Sequence, residues 1–368
     1  MSDREHEVER LFRGLLELGE GVDCDAYLCR ECRSDESVRR RVKALVRAYR
    51  GAGDFLEEDV VGERLDGAGV GLAGRRVAGY RVLRLVSGGA SCVVYLAEQL
   101  EPVRRPVALK LSRPGEGVER ARIRFAAERQ AMAVLDHPNV VQLYDAGDWE
   151  GLPFIVSEWV GGESLLEYAE RGQLGVGARV ELFLQACLGV VHGHERGVVH
   201  RDIKPANILV TEREGVALVK VIDFGVSGAS GHELGGGEGT PGYMSPEQLV
   251  RGVGAADVRE DVYGLGVILH ELLTGRRPRV EPGVGWVIEQ DRGDSGLLVE
   301  LERWMAGGLE GVLRRALAWE REGRYGSVME LVGDLRELLG AIRDGESRGG
   351  LALLLRRHRG WVAVAAVW

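Results

Sequence analysis

Residues 198–210 read "VVHRDIKPANILV", placing Asp202, Lys204 and Asn207 in one short stretch between a helical pattern and a β-type apolar run. Further on, "VKVIDFGVS" puts Asp223 at the end of a second apolar run, followed by Phe224 and Gly225. Phosphoryl transfer from ATP demands little covalent work of a protein. It needs a base or orienter for the attacking hydroxyl, oxygen ligands for magnesium and cations along the phosphates. Asp202 suits the first role. Asn207 and Asp223 are hard oxygen donors and suit the second. Lys204, two residues from Asp202, can reach a γ-phosphate.

Working outward, the chain carries "VALK" at 107–110, "RFAAERQ" at 124–130, "DHPNVVQLYDAG" at 136–147 and "FIVSEWVGG" at 154–162. Downstream lie "GTPGYMSPE" at 239–247, "DVYGLGVILHELLTG" at 261–275 and "EGRYGS" at 322–327. Any one of these is commonplace; Lys110 alone reads as a surface lysine and the Asp261 helix alone as core. Their order and spacing are not commonplace. Together they resemble the bacterial eukaryotic-like Ser/Thr protein kinases over residues 78–340.

That resemblance implies an α+β, two-lobed fold with a β-rich N-lobe (78–157), a hinge (158–162) and a helical C-lobe (163–340). It implies that Lys110 contacts the α- and β-phosphates and pairs with Glu128. Asp202 and Lys204 then serve the transfer, with Asn207 and Asp223 on Mg2+. Asp261 braces the backbone of the catalytic loop. Thr240, Glu247 and Arg324 belong to the substrate-positioning apparatus, with Arg324 paired to Glu247. Adenine is expected between Val86, Val94 and Ala108, with the Glu158 carbonyl and the Val160 N–H at the hinge and Ser157 at the gatekeeper position.

The stretch "LVSGGASCVVY" (85–95) lies where the family has its glycine-rich phosphate loop. The glycine pattern falls on Ser87, Gly88, Gly89 and Cys92, of which Gly89, the middle glycine, is kept. Small residues replace the outer two, and an L-residue in the left-handed region costs roughly 1–2 kcal/mol. A looser phosphate loop is expected, with Cys92 accessible at its tip. Arg201 in this family commonly pairs with a phosphate on the activation loop. Here "VSGASGHELGGGEG" (226–239) offers only Ser227 and Ser230, with Gly235, Gly236 and Gly237 at the usual acceptor position. Activity independent of loop phosphorylation is therefore expected, Glu233 or Glu238 standing in for the phosphate.

Ahead of this region, Val8, Leu11, Phe12, Leu15 and Leu16 follow a helical stripe, as do Val38, Val42, Leu45, Val46 and Tyr49. Asp23 and Ser34 or Asp35 are candidate N-caps. Residues 1–60 read as a small helical module and 61–77 as a glycine-rich linker. Cys29 and Cys32 form a lone CxxC without the second pair that a zinc site wants, and on a helix they read as small apolar residues. The tail, 341–368, runs through "RRHRG" into "WVAVAAVW", which resembles the start of a transmembrane segment in receptor-type members. Eight apolar residues fall short of the roughly 20 that a span needs. The protein is expected in the cytoplasm, peripheral to the inner membrane face only in a longer form.

A net charge of −9 argues against a nucleic-acid partner. The expected partners are ATP, Mg2+ and a protein bearing a Ser or Thr acceptor, and the pattern is compatible with a homodimer. Two other readings stand beside the active Ser/Thr kinase: a pseudokinase scaffold with weak ATP binding, and a small-molecule kinase on the same fold.

Overall fold

Three helices come first: α1 (Asp3–Glu17), α2 (Cys24–Glu31) and α3 (Glu36–Gly51). The Asp23 carboxylate accepts from the N–H groups of Asp25 and Ala26, and Asp35 does the same for Ser37 and Val38. Each cap satisfies amides that the first helical turn leaves without partners. The sequence stripes turn inward, so Val8, Leu11, Phe12 and Leu15 meet Val38, Val42, Leu45 and Val46 in one apolar cluster with Leu28 and Cys32. Cys32 is 1% exposed and fills that core, while Cys29 faces solvent. The computed structural model describes residues 3–18, 23–32, 35–51, 71–89, 91–113, 117–224, 241–251, 257–281, 285–287 and 295–348.

The N-lobe is an antiparallel sheet of β1 (Arg76–Val77), β2 (Tyr80–Gly88), β3 (Cys92–Gln99), β4 (Arg105–Ser112), β5 (Leu143–Trp149) and β6 (Leu152–Glu158). The strands lie in the order β1-β2-β3-β4-β6-β5. Alternation along β3 sends Val93, Tyr95 and Ala97 into the lobe's core and leaves Cys92, Val94 and Leu96 on the other face. Helix α4 (Val118–Ala133) packs against β6 with Ala121, Phe125, Glu128 and Met132 on its buried face. A carboxylate in that stripe needs a buried cation, and it has one.

The linker reading requires a correction. Arg76 and Val77 pair with Arg81 and Tyr80, and Leu72 and Val77 are buried in the N-lobe core. The lobe therefore begins by residue 71, because Leu72 and Val77 cover the end of the sheet that Tyr80 and Val82 would otherwise expose. Residues 52–70 of the module and linker lie outside the described residues.

The C-lobe follows the hinge with β7 (Glu163–Ser164), α5 (Leu165–Arg171), α6 (Val176–Glu195), β8 (Ile208–Arg213) and β9 (Val216–Val221). Next come α7 (Pro246–Arg251), α8 (Val258–Thr274), the hairpin β10 (Arg279–Glu281) and β11 (Gly285–Val287), α9 (Ser295–Trp304), α10 (Glu310–Ala316) and α11 (Val328–Arg348). Helix α8 is buried on all sides from Asp261 to His270, as expected of a helix crossing the middle of a lobe. It ends at Gly275, whose φ of 75° only glycine adopts without strain.

Helix α11 corrects the other domain boundary. It continues past residue 340 to Arg348, with Ile342 packed on the C-lobe core. The remaining tail, 349–368, lies outside the described residues. No helix among the described residues is long and apolar enough to cross a membrane.

At the hinge exit, a Cβ on Gly162 would lie 2.0 Å from the backbone carbonyl oxygen of Val210. Backbone cannot move aside as a side chain can. Gly162→Ala should therefore lower unfolding stability by about 1–3 kcal/mol in denaturant titration. Gly161→Ala, whose Cβ would meet only the Trp159 indole, should cost much less.

Candidate active site

The loop between α6 and β8 is tied down from beneath by Asp261 on the first turn of α8. Its carboxylate accepts the N–H of His200 (2.8 Å) and of Arg201 (2.7 Å), and His194 Nε2 lies 2.7 Å away. Burial alone would push this carboxyl upward; His194 and the other donors outweigh it and hold the pKa below the ordinary range. Arg201 takes a φ of 66° here, a left-handed conformation costly for a long side chain. The His200 ring adds a second tie. Nε2 donates to the Ile222 carbonyl (3.0 Å) and Nδ1 accepts from Asp202 N–H (3.3 Å), which fixes the tautomer.

Above this base the charged groups converge. Lys204 Nζ is 2.7 Å from Asp202 Oδ2. The Asn207 amide nitrogen donates to both the carbonyl (2.8 Å) and the carboxylate (3.1 Å) of Asp202, so its oxygen is the end turned away. The backbone carbonyl of Asn207 accepts from Ile222 N–H, tying this loop to the residue before Asp223. Lys110 on β4 reaches Glu128 Oε1 at 2.8 Å and Asp223 Oδ1 at 3.2 Å. Burial works against the Lys110 charge, but the two carboxylates overcome it and hold its pKa above normal. Asp223 moves the opposite way: burial raises it, while Lys110, with His200 and Lys204 behind, pulls it below the usual carboxylate range. Phe224 is fully buried against His200, ring centroids 4.8 Å apart, which keeps Asp223 turned toward Lys110.

This donor set fits a hard divalent cation bridged to phosphate. An amide oxygen and a carboxylate leave further positions for phosphate and water oxygens, as magnesium prefers. The roof of the cleft is the β2–β3 hairpin, where Ser87 pairs with Val94 and Gly88 with Val93. Gly89 N–H bonds to the Cys92 carbonyl, and Val86 is exposed. Cys92 is not at an accessible tip, contrary to the sequence reading. It opens β3 on the face opposite Val93, partly buried against the apolar cluster that holds Phe125 and Ile155, and burial raises its thiol pKa despite the Lys110 charge. Ala108 and Ser157 are directly paired across β4 and β6. Val160 is buried, and the Glu158 side chain holds Lys220 and Arg213, each at 2.8 Å.

Beside the catalytic loop, Arg324 and Glu247 form a two-pronged ion pair of 2.6 and 2.7 Å, with Arg324 also donating to the Ala318 and Trp319 carbonyls. Thr240 and the glycine-rich segment, including Ser227, Ser230, Glu233 and Glu238, lie outside the described residues.

The general description "protein kinase domain" matches residues 80–287. The chain belongs to the protein kinase family. It is 34% identical over 288 residues to the serine/threonine-protein kinase PrkC of Bacillus subtilis, spanning 75% of this chain and 43% of that one. Identity is 35% to Pkn1 of Myxococcus xanthus (77% and 42%) and 34% to PknB of Mycobacterium tuberculosis (70% and 42%). The chain thus spans less than half the length of these curated relatives. Among solved structures, the Mycobacterium tuberculosis PknI kinase domain matches with a TM-score of 0.54 and 30% identity, covering 72% of this chain and 98% of that one.

Several residues of this site were not picked out in the sequence. His194 and His200 flank Asp261 from two segments, and Gln248 Nε2 donates to the Arg201 carbonyl at 3.0 Å. Glu260 is the most informative. Its carboxylate lies 3.7 Å from Arg201 Nε, both side chains nearly buried. The doublet Glu260–Asp261 at a helix start was the available signal, since two adjacent acids in a buried helix demand partners.

Burial, with Asp261, Glu247 and Asp257 nearby, raises the Glu260 pKa to about 7 against the opposing pull of Arg201. The folded state therefore holds a proton that the unfolded chain releases near pH 4.5. Stability should fall as pH rises between those values, by on the order of 2 kcal/mol for this one group. Urea unfolding of wild type and Glu260→Gln at pH 5 and pH 8 checks this, and the Gln variant should lose less stability across the interval.

Proposed function

We propose that the protein is an active Ser/Thr kinase that transfers the γ-phosphoryl of MgATP to a hydroxyl on a protein acceptor. The observation that carries this reading is the convergence of Lys110, Glu128, Asp202, Lys204, Asn207 and Asp223 from four separate segments into two ion-paired groups tied together by the Ile222–Asn207 backbone bond. A scaffold that had lost catalysis would have no reason to keep six such groups mutually positioned.

MgATP, when bound, supplies the phosphoryl group and the metal charge that neutralises it. In this assignment the chain's own residues do the rest. Lys110, held straight by Glu128, lies along the α- and β-phosphates. Asp223 and the Asn207 oxygen hold the metal, and the backbone of 87–89 covers the phosphates. Asp202 orients the acceptor hydroxyl and takes its proton, while Lys204 balances charge on the transferring group. Val86, Val94 and Ala108 enclose adenine, whose polar edge meets the backbone of Glu158 and Val160 beside Ser157. Thr240 and the Glu247–Arg324 pair are assigned to positioning the acceptor chain.

Labelled ATP, Mg2+ and myelin basic protein form the direct assay. Asp202→Asn and Lys110→Ala should each reduce transfer by about 10²–10⁴-fold. The thermal unfolding profile should be retained in Asp202→Asn and shifted down in Lys110→Ala, which strips buried Glu128 of its cation. Lys110→Ala should also weaken ATP binding more than Asp202→Asn does. Wild-type turnover in Asp202→Asn would overturn the assignment.

Arg201 already faces Glu260, which supports activity without a loop phosphate. Phosphatase-treated protein should keep most of its transfer rate. A large loss, recovered on autophosphorylation at Ser227, Ser230 or Thr240, would refute that part.

A further inference from the structure

Helix α7, six residues long, carries Glu247 and Gln248 and so touches both the Arg324 ion pair and the catalytic loop. Its apolar seat is not the C-lobe core. Leu249, 7% exposed, belongs to the cluster built by α1, α2 and α3, and Met244 and Trp319 pack on the same cluster. Phe12, fully buried, faces the Trp319 ring at 6.3 Å between centroids. Arg13 bonds to Glu320 at 2.6 Å and lies over the Trp319 ring at 5.8 Å.

The N-terminal module thus grips both sides of one ion pair. On one side it holds α7 through Leu249. On the other it holds the 318–324 loop, whose Ala318 and Trp319 carbonyls accept from Arg324. From α7 the connection continues inward. Ser245 and Gln248 cap one another, with Ser245 N–H to Gln248 Oε1 at 2.9 Å and Gln248 N–H to Ser245 Oγ at 3.4 Å. The Gln248 amide nitrogen then donates to the Arg201 carbonyl, one residue from Asp202. A helix this short has little stability of its own, so what holds it sets where Gln248 and Glu247 sit.

We infer that α1–α3 form a built-in buttress for protein-acceptor binding, with Phe12 and Leu249 as positioning residues that hold α7 against the catalytic loop. The inference rests on the kinase reading above. It concerns the acceptor and not the nucleotide, because the module touches the C-lobe face beneath α7 while Lys110 and the glycine-rich hairpin lie in the other lobe.

The test uses the full chain, wild type beside Phe12→Ala, Phe12→Leu, Arg13→Glu and the swap Arg13→Glu/Glu320→Arg. Steady-state kinetics are read separately for myelin basic protein and for ATP. Phe12→Ala should lower kcat/KM for the acceptor tenfold or more while the ATP KM stays within twofold. Phe12→Leu should recover most of the loss, and the swap should recover what Arg13→Glu loses. Amide exchange at 246–251 should accelerate in Phe12→Ala while exchange in α8 is unchanged, which separates a loosened α7 from a generally unstable fold.

Unchanged acceptor kinetics in Phe12→Ala, or a rise in activity, would overturn the inference, the latter making the module inhibitory. Equal losses toward acceptor and ATP would overturn it as well. If Phe12→Ala does not fold, the Arg13 swap decides in the same two directions. Wild type inactive toward any protein acceptor would instead remove the kinase reading, and this inference with it.

Discussion

The Asp261 carboxylate is the constraint on which the candidate active site depends. It is fully buried, and three donors from one turn of chain and from the end of α6 converge on it. Breaking a buried charge from its partners costs about 3–5 kcal/mol, enough to hold Arg201 in its left-handed conformation against local strain. That conformation turns the chain so that Asp202 faces the cleft, while the Arg201 carbonyl faces α7. One buried group on the least exposed helix therefore sets the direction of two functional surfaces.

A second polar node joins the lobes. Lys110 comes from the sheet, Glu128 from α4 and Asp223 from the end of β9, so the triad closes only when sheet, helix and C-lobe are in register. Buried ion pairs contribute little net stability compared with apolar packing of equal volume. What this one contributes is geometry, because Lys110 has two anionic anchors and no third direction to swing in. Around it, Phe125, Met132, Val141 and Ile155 exclude water from one side of the node, with Leu209 and Ile222 reaching in from the C-lobe.

Much of this was legible in the sequence because it is carried by local signals. Asp23 and Asp35 announce helix starts, and the proposed catalytic groups lie at short, ordered separations. The Glu247–Arg324 pair was readable only through resemblance, since nothing local connects residues so far apart. What stayed hidden depended on geometry that emerges on packing. A two-residue strand such as β1 has too few positions to show a period, and the glycines around it read as linker. The depth of Cys92 follows from which face of β3 it occupies, and Val93 in the core settles that face only once the register is known. Glu260 drew no notice in the sequence, because its partner Arg201 lies 59 residues away and meets it only in the fold.

The seam between α1 and the Trp319 loop joins positions far apart in sequence. Arg13 and Glu320 are separated by 307 residues. At ribosomal speeds of about 5–20 residues per second, that interval corresponds to roughly 15–60 seconds of synthesis. Through that time α1–α3 can pair with one another, but the apolar side that later receives Leu249 and Trp319 has nothing to cover it. The α1–α3 segment thus completes its packing only after those 307 residues have been made, and the nascent protein carries an uncovered apolar surface throughout that interval. Such a surface is a natural landing place for a chaperone, and its disappearance marks the moment when the C-lobe has closed.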